Sequence, residues 1–276
     1  MVISHEFRFI FIKTAKVAGT SLELYLSTVL GANDTLTPFW EEEPTHQARG
    51  YRGRFNPTRE LRKRITANRH LWHVGISRTL LDLVHADCFF ENIPAWQIRA
   101  RVPRKIWDNY YKFTIERNPW DKCVSRYFHS KGIYEKKYQS ALSFGSWLRY
   151  FEGRLREPWT TRCWGSEAPY NFPRYADPWT DEILVDRVCR YETLNSDLTD
   201  VFRFLGVPFE SLDRFRAKSS YRPVMQNTTE LMNEEHIETI RSIFANEIAL
   251  MGYRAPISDQ CSEHEDEEIG STSKHG

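Results

Sequence analysis

The sequence predicts an α/β protein: a central parallel sheet with helices on both faces and irregular insertions covering the crevice at the carboxyl ends of the strands. Three observations predict this class. Short apolar runs recur at Phe7–Thr14, Tyr110–Glu116 and Ile183–Tyr191; segments with helical apolar spacing follow them; and turn-forming residues separate the two. Strands that alternate with helices require crossover connections, and these place helices over a parallel sheet.

Phe7–Thr14 reads as a buried strand. Ser21–Leu30 reads as a helix with Leu22, Leu26 and Val29 on one face and Gly31 as its stop. Phe39–Arg104 is irregular and rich in aromatic residues and arginine, so it reads as an insertion. Tyr110–Glu116 ("YYKFTIE") is a second strand, followed by a helix that Pro119 opens and Gly132 closes. Tyr134–Asp181 is a second irregular insertion, and Ile183–Tyr191 ("ILVDRVCRY") a third strand. Asn195 or Ser196 caps the next helix, whose Leu198, Val201, Phe202 and Leu205 precede Gly206 and Pro208. Asn233 caps a last helix carrying Ile237, Ile240, Phe244, Ile248 and Met251, ended by Gly252. Residues 1–257 are expected to form a single domain. The acidic, pattern-free Ser258–Gly276 reads as a disordered tail.

Composition narrows the function classes. Hydrophobic residues make up 41% of the 276 and aromatic ones 14%, as in a folded globular protein, while a mean hydropathy of -0.58 and nine Trp indicate an Arg-, Tyr- and Trp-rich surface. The net charge of +1 gives no global field for nucleic acid or membrane. One local patch runs from Arg49 to Arg69, with Glu60 its lone acid, and reads as a solvated face or as a contact for an anionic substrate. The five cysteines (Cys88, Cys123, Cys163, Cys189, Cys261) form no CxxC pair, which indicates neither a zinc site nor a disulfide framework and suits a reducing compartment. No signal pattern opens the chain, and no run approaches the roughly 18 apolar residues of a membrane span. The expectation is a soluble, cytoplasmic protein without an integral membrane segment. Nothing in the pattern fixes an oligomeric state.

The chemistry-bearing stretch is "FIFIKTAKVAGTSLE", Phe9–Glu23. A turn between a buried strand and a helix N-terminus offers main-chain N–H groups and the positive end of the helix dipole to an oxyanion. Ala18 and Gly19 allow close backbone approach, Thr20 and Ser21 supply hydroxyls, and Lys16 adds a full charge. The nucleotide-triphosphatase signature G-x-x-x-x-G-K-S/T cannot be written here, because the lysine precedes the glycine. A second stretch, "FTIERNPWDKCVSRYF", puts Arg117 at a strand end and Ser125 on the following helix, a fitting pair for a second phosphate. In open α/β sheets ligands bind beyond the carboxyl ends of the strands, where Lys16 and Arg117 both fall.

These two stretches resemble the sulfotransferases that use 3′-phosphoadenosine 5′-phosphosulfate (PAPS), and within them a bacterial group similar to the Golgi carbohydrate sulfotransferases. "LTPFWEEE", "IPAWQIR", "RYETLNSDLTDVFRFLGVP" and "EIALMGYR" extend the likeness over most of the chain. The resemblance implies a P-loop nucleotide-triphosphatase-like fold, PAPS as co-substrate with PAP as product, no metal, and a hydroxyl-bearing acceptor, a glycan. Lys16 would meet the bridging oxygen of the phosphosulfate; Val17, Ala18, Gly19, Thr20 and Ser21 would wrap the 5′-phosphate; Arg117 and Ser125 would bind the 3′-phosphate; Arg222 in "KSSYRP" would close over the nucleotide. Two positions depart from the family pattern. Ala15 stands where proline usually precedes the lysine, and Asn92 stands in "FFENIPAWQIR" where relatives often carry a histidine. With that histidine absent, the candidate bases are His85 and Glu91, with His73 and His129 as further options.

Transfer would proceed in line, with an acceptor hydroxyl attacking and negative charge building on the leaving phosphate oxygen beside Lys16. The competing readings are a kinase-like P-loop enzyme, a nucleotide-binding module without turnover, and an RNA-binding protein using the Arg49–Arg69 patch without any recognisable RNA-binding motif. Trp40, Trp72, Trp96, Trp147, Trp159, Trp164 and Trp179 are candidates either for stacking on sugar faces or for the core.

Overall fold

The computed structural model describes residues 1–39, 46–67, 72–138, 141–155, 169–215 and 231–256. Trp40, Trp159, Trp164, Arg222, the acidic tail and the side chains of Trp72 and His73 lie outside the described residues. The chain divides into two compact units, Met1–Asn118 with Gly153–Ser219 and Pro119–Glu152 with Ser220–Gly276.

In chain order the first unit contains β1 (Val2–Ser4), β2 (Phe9–Ile12), α1 (Gly19–Val29), β3 (Thr35–Leu36), α2 (Thr58–Ala67), α3 (Trp72–Val84), α4 (Ala95–Arg101), α5 (Arg104–Asn109) and β4 (Tyr111–Glu116). After α6 (Pro119–Tyr138) and α7 (Phe144–Leu155), it resumes with α8 (Phe172–Tyr175), β5 (Arg187–Arg190) and α9 (Leu194–Leu205). The strands form one sheet of order β3-β1-β2-β4-β5. β2, β4 and β5 run parallel, whereas β1 pairs antiparallel with β2 and β3 antiparallel with β1. The sheet is therefore mixed. Sequence reasoning expected a parallel sheet because β1 and β3 are too short and too close to the helix-forming segments to register as apolar runs.

Strand β2 is buried on both faces, as a central parallel strand must be. Successive side chains alternate: Phe9 and Phe11 join one core with Leu22, Leu26, Phe113 and Phe202, while Ile10 and Ile12 join another with Trp96, Ile98 and Trp107. Helices α1 and α9 thus contribute to one core and α4 and α5 to the other. Phe113 packs tilted against Phe11 at 5.2 Å and edge to face against Phe202 at 5.9 Å between ring centroids, and aromatic pairs of this kind each add about 0.5–1.5 kcal/mol beyond area burial. The ends of β2 and β4 are cross-stitched, since Thr14 Oγ1 donates to Ile115 O at 2.5 Å and Thr114 Oγ1 to Ile12 O at 2.8 Å.

Several boundaries differ from the sequence pattern. The stretch expected to be irregular after Phe39 holds α2, α3 and α4, because the Arg-rich α2 buries Glu60 against Arg101 Nε at 3.0 Å, Gln97 Nε2 at 2.7 Å and Thr79 Oγ1 at 2.9 Å. Arg101 also bonds Asp82 at 2.7 Å, so this buried network ties α2, α3 and α4 together. Arg52, Arg54, Arg59 and Arg62 remain exposed. α1 ends at Val29 with Leu30 extended, and Gly31 instead donates its N–H to Asp34 Oδ2 at 3.0 Å. α9 begins at Leu194, earlier than Asn195 or Ser196 as caps would place it. Gly206 and Gly252 do end their helices, in left-handed conformation at φ 72° and 63°.

The second unit contains α6, most of α7, α10 (Glu234–Ile243) and α11 (Ala245–Met251). Helix α6 runs through Gly132 rather than stopping there, since a glycine without a left-handed φ is no stop signal. Asn233 caps α10, its Oδ1 accepting from His236 N–H at 2.9 Å. Buried Lys122 pairs with buried Glu247 at 3.3 Å and lies 4.9 Å from the Phe244 ring centroid. Trp147 packs here against Phe151, while in the first unit Trp96 and Trp179 pack edge to face, so these three tryptophans serve the cores. Among the described residues, no helix is long and apolar enough to cross a membrane.

Candidate anion-binding site

The turn after β2 adopts an unusual backbone. Lys16 and Ala18 both have φ of 61°, the left-handed region that non-glycine residues seldom enter, while Val17 between them does not. Alternating handedness at successive residues curls main-chain N–H groups into a concavity suited to an anion. Ala18 is the N-cap of α1 and brings no side-chain cap, so the first turn of the helix contributes its dipole and N–H groups to the same place. Thr20 is half-buried and Ser21 buried within that first turn.

Two residues of the turn also have packing duties that the sequence did not show. Val17 is fully buried in the core with Phe11 and Leu22, so its side chain is a packing anchor. A Cβ on Gly19 would stand 2.9 Å from Lys13 Cγ. Gly19 is thus required by the Lys13 stem lying against it, and not by the close approach of a ligand alone.

Arg117 converges on this turn. It is buried at 8% exposure, its Nη1 donates to the Lys16 carbonyl at 3.2 Å, and its guanidinium lies 4.2 Å from the Tyr191 ring centroid. The parallel pairing of β2 with β4 puts both strand ends on the same side, which is why a residue 101 positions along the chain reaches Lys16. Ser125 belongs to α6 in the second unit, where it is half-buried.

Beneath the turn lies a polar shell that sequence reasoning missed. Buried Asn171, just before α8, accepts from Ala15 N–H at 2.9 Å through Oδ1 and donates to Ala15 O at 3.1 Å and to Glu116 Oε1 at 3.3 Å through Nδ2. Glu116 also accepts from the Arg117 N–H at 2.9 Å and from the Tyr175 hydroxyl at 3.2 Å. No local pattern announced Asn171, which sits in an aromatic insertion far from the turn.

Lys13, at the end of β2, is the second missed residue. It is 3% exposed, and its Nζ bonds both Glu23 Oε2 and Glu91 Oε1 at 2.7 Å while lying 4.4 Å from the Phe39 ring centroid. Burial alone would lower the Lys13 pKa, but Glu23 and Glu91 outweigh it and raise it. Burial would likewise raise the Glu23 pKa, yet Lys13 and the Met1 amino group, which also bonds Glu23, hold it below the usual carboxylate value. A lysine breaking the apolar run "FIFIK" was the one available signal. His46 stacks on Phe39 at 3.8 Å with Nε2 2.8 Å from Thr37 O, and burial lowers its pKa.

Glu91 stands beside Lys13 with 27% of its side chain exposed. His85 is exposed just past the end of α3, its N–H donating to Leu81 O at 2.9 Å. His129 is half-buried on α6 in the second unit. Asn92 has φ of 57° and its carbonyl accepts from Arg174 Nη1 at 3.0 Å. Asparagine tolerates that left-handed backbone better than most residues do, which gives Asn92 a conformational reason to be there. Among the described residues Cys88, Cys123 and Cys189 are buried, and burial pushes Cys88 up to about 11 and Cys189 to about 12, which disfavours the reactive thiolate.

No family model matches the chain, and no solved structure matches it. A curated protein of Archaeoglobus fulgidus, described as an uncharacterized protein, is 36% identical over 137 residues, a stretch that covers 48% of this chain and all of the archaeal one. The chain belongs to the same family as this archaeal protein.

Proposed function

We propose that the protein is a PAPS-dependent sulfotransferase on a P-loop nucleotide-triphosphatase-like core, transferring a sulfuryl group to an acceptor hydroxyl, with a carbohydrate as the acceptor class. One observation carries the reading: the Arg117 guanidinium is anchored on the Lys16 carbonyl at 3.2 Å. Two anion-binding elements, each ambiguous alone, therefore lie side by side at the strand ends, as a ligand with two separate phosphate groups requires. The acceptor class rests on sequence resemblance.

The donor set fits such a ligand. Main-chain N–H groups of the turn, the Thr20 and Ser21 hydroxyls and Lys16 hold the 5′-phosphate; Arg117 holds the 3′-phosphate. When the acceptor oxygen bonds to sulfur, the bond from sulfur to the leaving phosphate oxygen breaks, and the Lys16 ammonium neutralises the charge that develops there. Glu91 takes the acceptor proton, held in place by Lys13. Such a base contributes about 10²- to 10⁴-fold.

A second reading, a binding module that holds the nucleotide without turnover, is favoured by Asn92 standing where a base is expected. Calorimetry with PAP in EDTA and transfer from labelled PAPS to a panel of oligosaccharides separate the two. Binding plus transfer supports the enzyme, and binding with no transfer to any acceptor supports the module. Failure to bind PAP, with tight binding of ATP and Mg²⁺ instead, would return the chain to the kinase-like class.

A further inference from the structure

We infer that Asn171 is the positioning residue of the anion-binding turn: its side-chain amide clamps both peptide groups of Ala15 and, through Glu116, fixes the turn's spacing from Arg117. The inference deepens the proposed function and rests on it for the identity of the ligand.

The amide of Asn171 imitates a neighbouring strand. It accepts from the Ala15 N–H at 2.9 Å and donates to the Ala15 carbonyl at 3.1 Å, a reciprocal pair with the residue directly before Lys16. Left-handed non-glycine residues persist only where their surroundings over-determine them, and Lys16 and Ala18 both lie in that region. The residue before them is the natural place to impose the constraint. Val17, buried in the core, secures the middle of the turn, and Asn171 secures its entry.

The same Nδ2 reaches Glu116 Oε1 at 3.3 Å, and that oxygen accepts the Arg117 N–H at 2.9 Å. Tyr175, on the short helix that Asn171 precedes, bonds the other oxygen of Glu116 at 3.2 Å. A single buried amide therefore spans the two basic elements that the Arg117–Lys16 contact brings together. Asn171 is fully buried and does not present itself to a ligand, so its effect passes through the turn.

Proline has no N–H and a fixed φ, and Ala15 is not in the left-handed region. Ala15→Pro in the otherwise native chain should thus place a ring against Asn171 Oδ1, remove the donor and weaken PAP binding. In an Asn171→Ala background the ring meets no amide and stiffens the turn by itself. The test is the four-cornered set of wild type, Asn171→Ala, Ala15→Pro and the double variant, read by PAP affinity and by hydrogen exchange at the amides of residues 15–21. Each single variant should bind PAP about 10-fold or more weakly, the scale on which small misplacements of a binding element are felt. The double variant should recover part of the loss of Asn171→Ala, and the turn amides of Asn171→Ala should exchange faster while those of β2 do not. A folded Asn171→Ala chain with native affinity and native exchange overturns the inference, as does a double variant no better than Asn171→Ala. Should Asn171→Ala fail to fold, Ala15→Pro decides: unchanged affinity and exchange overturn it. A wild type that does not bind PAP removes the proposed function, and the exchange pattern then still decides whether the clamp exists.

Discussion

Lys13 Nζ stands 2.7 Å from Glu91 Oε1, joining the end of β2 to the loop before α4. Lys13 in turn lies against Gly19, the first residue of α1, so the base that we propose is tied to the turn that we propose holds the leaving group. Glu91→Gln, which keeps the shape and removes the proton acceptor, should lower kcat by about 10²- to 10⁴-fold with PAP affinity within about threefold of wild type. His85→Ala, on the exposed end of α3, should leave both unchanged. Steady-state kinetics on a verified acceptor checks the pair, and the opposite pattern would move the base to His85.

Arg117→Ala should weaken PAPS binding more than it slows chemistry. A 3′-phosphate is remote from the transferred sulfur, so its contact is made equally in ground and transition states. Loss of a charge-assisted contact of this type costs about 1.5–3 kcal/mol, or roughly 10- to 150-fold in Kd. Because Arg117 also anchors on Lys16, Arg117→Lys should recover the charge and not the anchoring fork. Titration calorimetry showing an unchanged Kd for Arg117→Ala would remove Arg117 from the site.

Lys16→Ala should act on kcat. Its ammonium is proposed to meet charge that appears only during transfer, and removal of such a preorganised donor costs about 10²- to 10³-fold. Binding should fall less, because the main-chain N–H groups and the N-terminus of α1 persist. Lys16→Arg should restore turnover only in part, since a planar fork does not reproduce a compact ammonium. Undiminished turnover by Lys16→Ala would exclude the mechanism.

The Lys13–Glu23 pair makes stability depend on pH at both ends. Glu23 has a depressed folded pKa, so its contribution is whole above its ordinary value of 4.5 and is lost as pH falls through the folded value. Lys13 has a raised folded pKa, so its contribution is whole below its ordinary value of 10.5 and is lost as pH rises through the folded value. Lys13→Met leaves Glu23 buried with one partner fewer and should cost about 3–5 kcal/mol at neutral pH. Lys13→Met/Glu23→Gln should regain part of that loss and flatten the acid limb of Tm against pH. Thermal melts across the range check both, and an acid limb identical to wild type in the double variant would show that the pair does not set it.

Much of the candidate site is written in local sequence. Strand β2, the Lys16–Ser21 turn and helix α1 follow one another within a single window of sequence, and their chemistry is that of main-chain N–H groups, a lysine and hydroxyls, which a local pattern can display. Arg117 was legible for the same reason, being placed at a strand end by "FTIER". Glu91 was legible only as a candidate base; Lys13, Glu23 and the tie of Glu91 to Lys13 were not, because a buried ion cluster looks in sequence like three unrelated surface charges until the fold brings residues 10 and 78 positions apart together. Asn171 was still less so: its partner lies 156 positions away, and asparagine in an aromatic insertion reads as a turn former. Gly19 reads in sequence as a residue that lets a ligand approach closely; that the Lys13 stem also requires it to be small is visible only in the fold.

The sequence by itself determined the α/β class and the strand–turn–helix unit that presents Lys16, since apolar periodicity and main-chain chemistry act over a few residues. It also determined Asn233, Gly206 and Gly252 as helix ends, because caps satisfy groups within one turn, although the single last helix expected between Asn233 and Gly252 is parted at Phe244 into α10 and α11. Tertiary structure alone decided the antiparallel additions of β1 and β3, whose pairing is set by edge hydrogen bonds rather than by pattern, and the helices that Glu60, Asp82 and Arg101 hold together. It alone decided what stands behind the turn. Charges and amides taken out of water must find partners, and those partners are set by where the folded chain passes, not by what stands next to them in sequence.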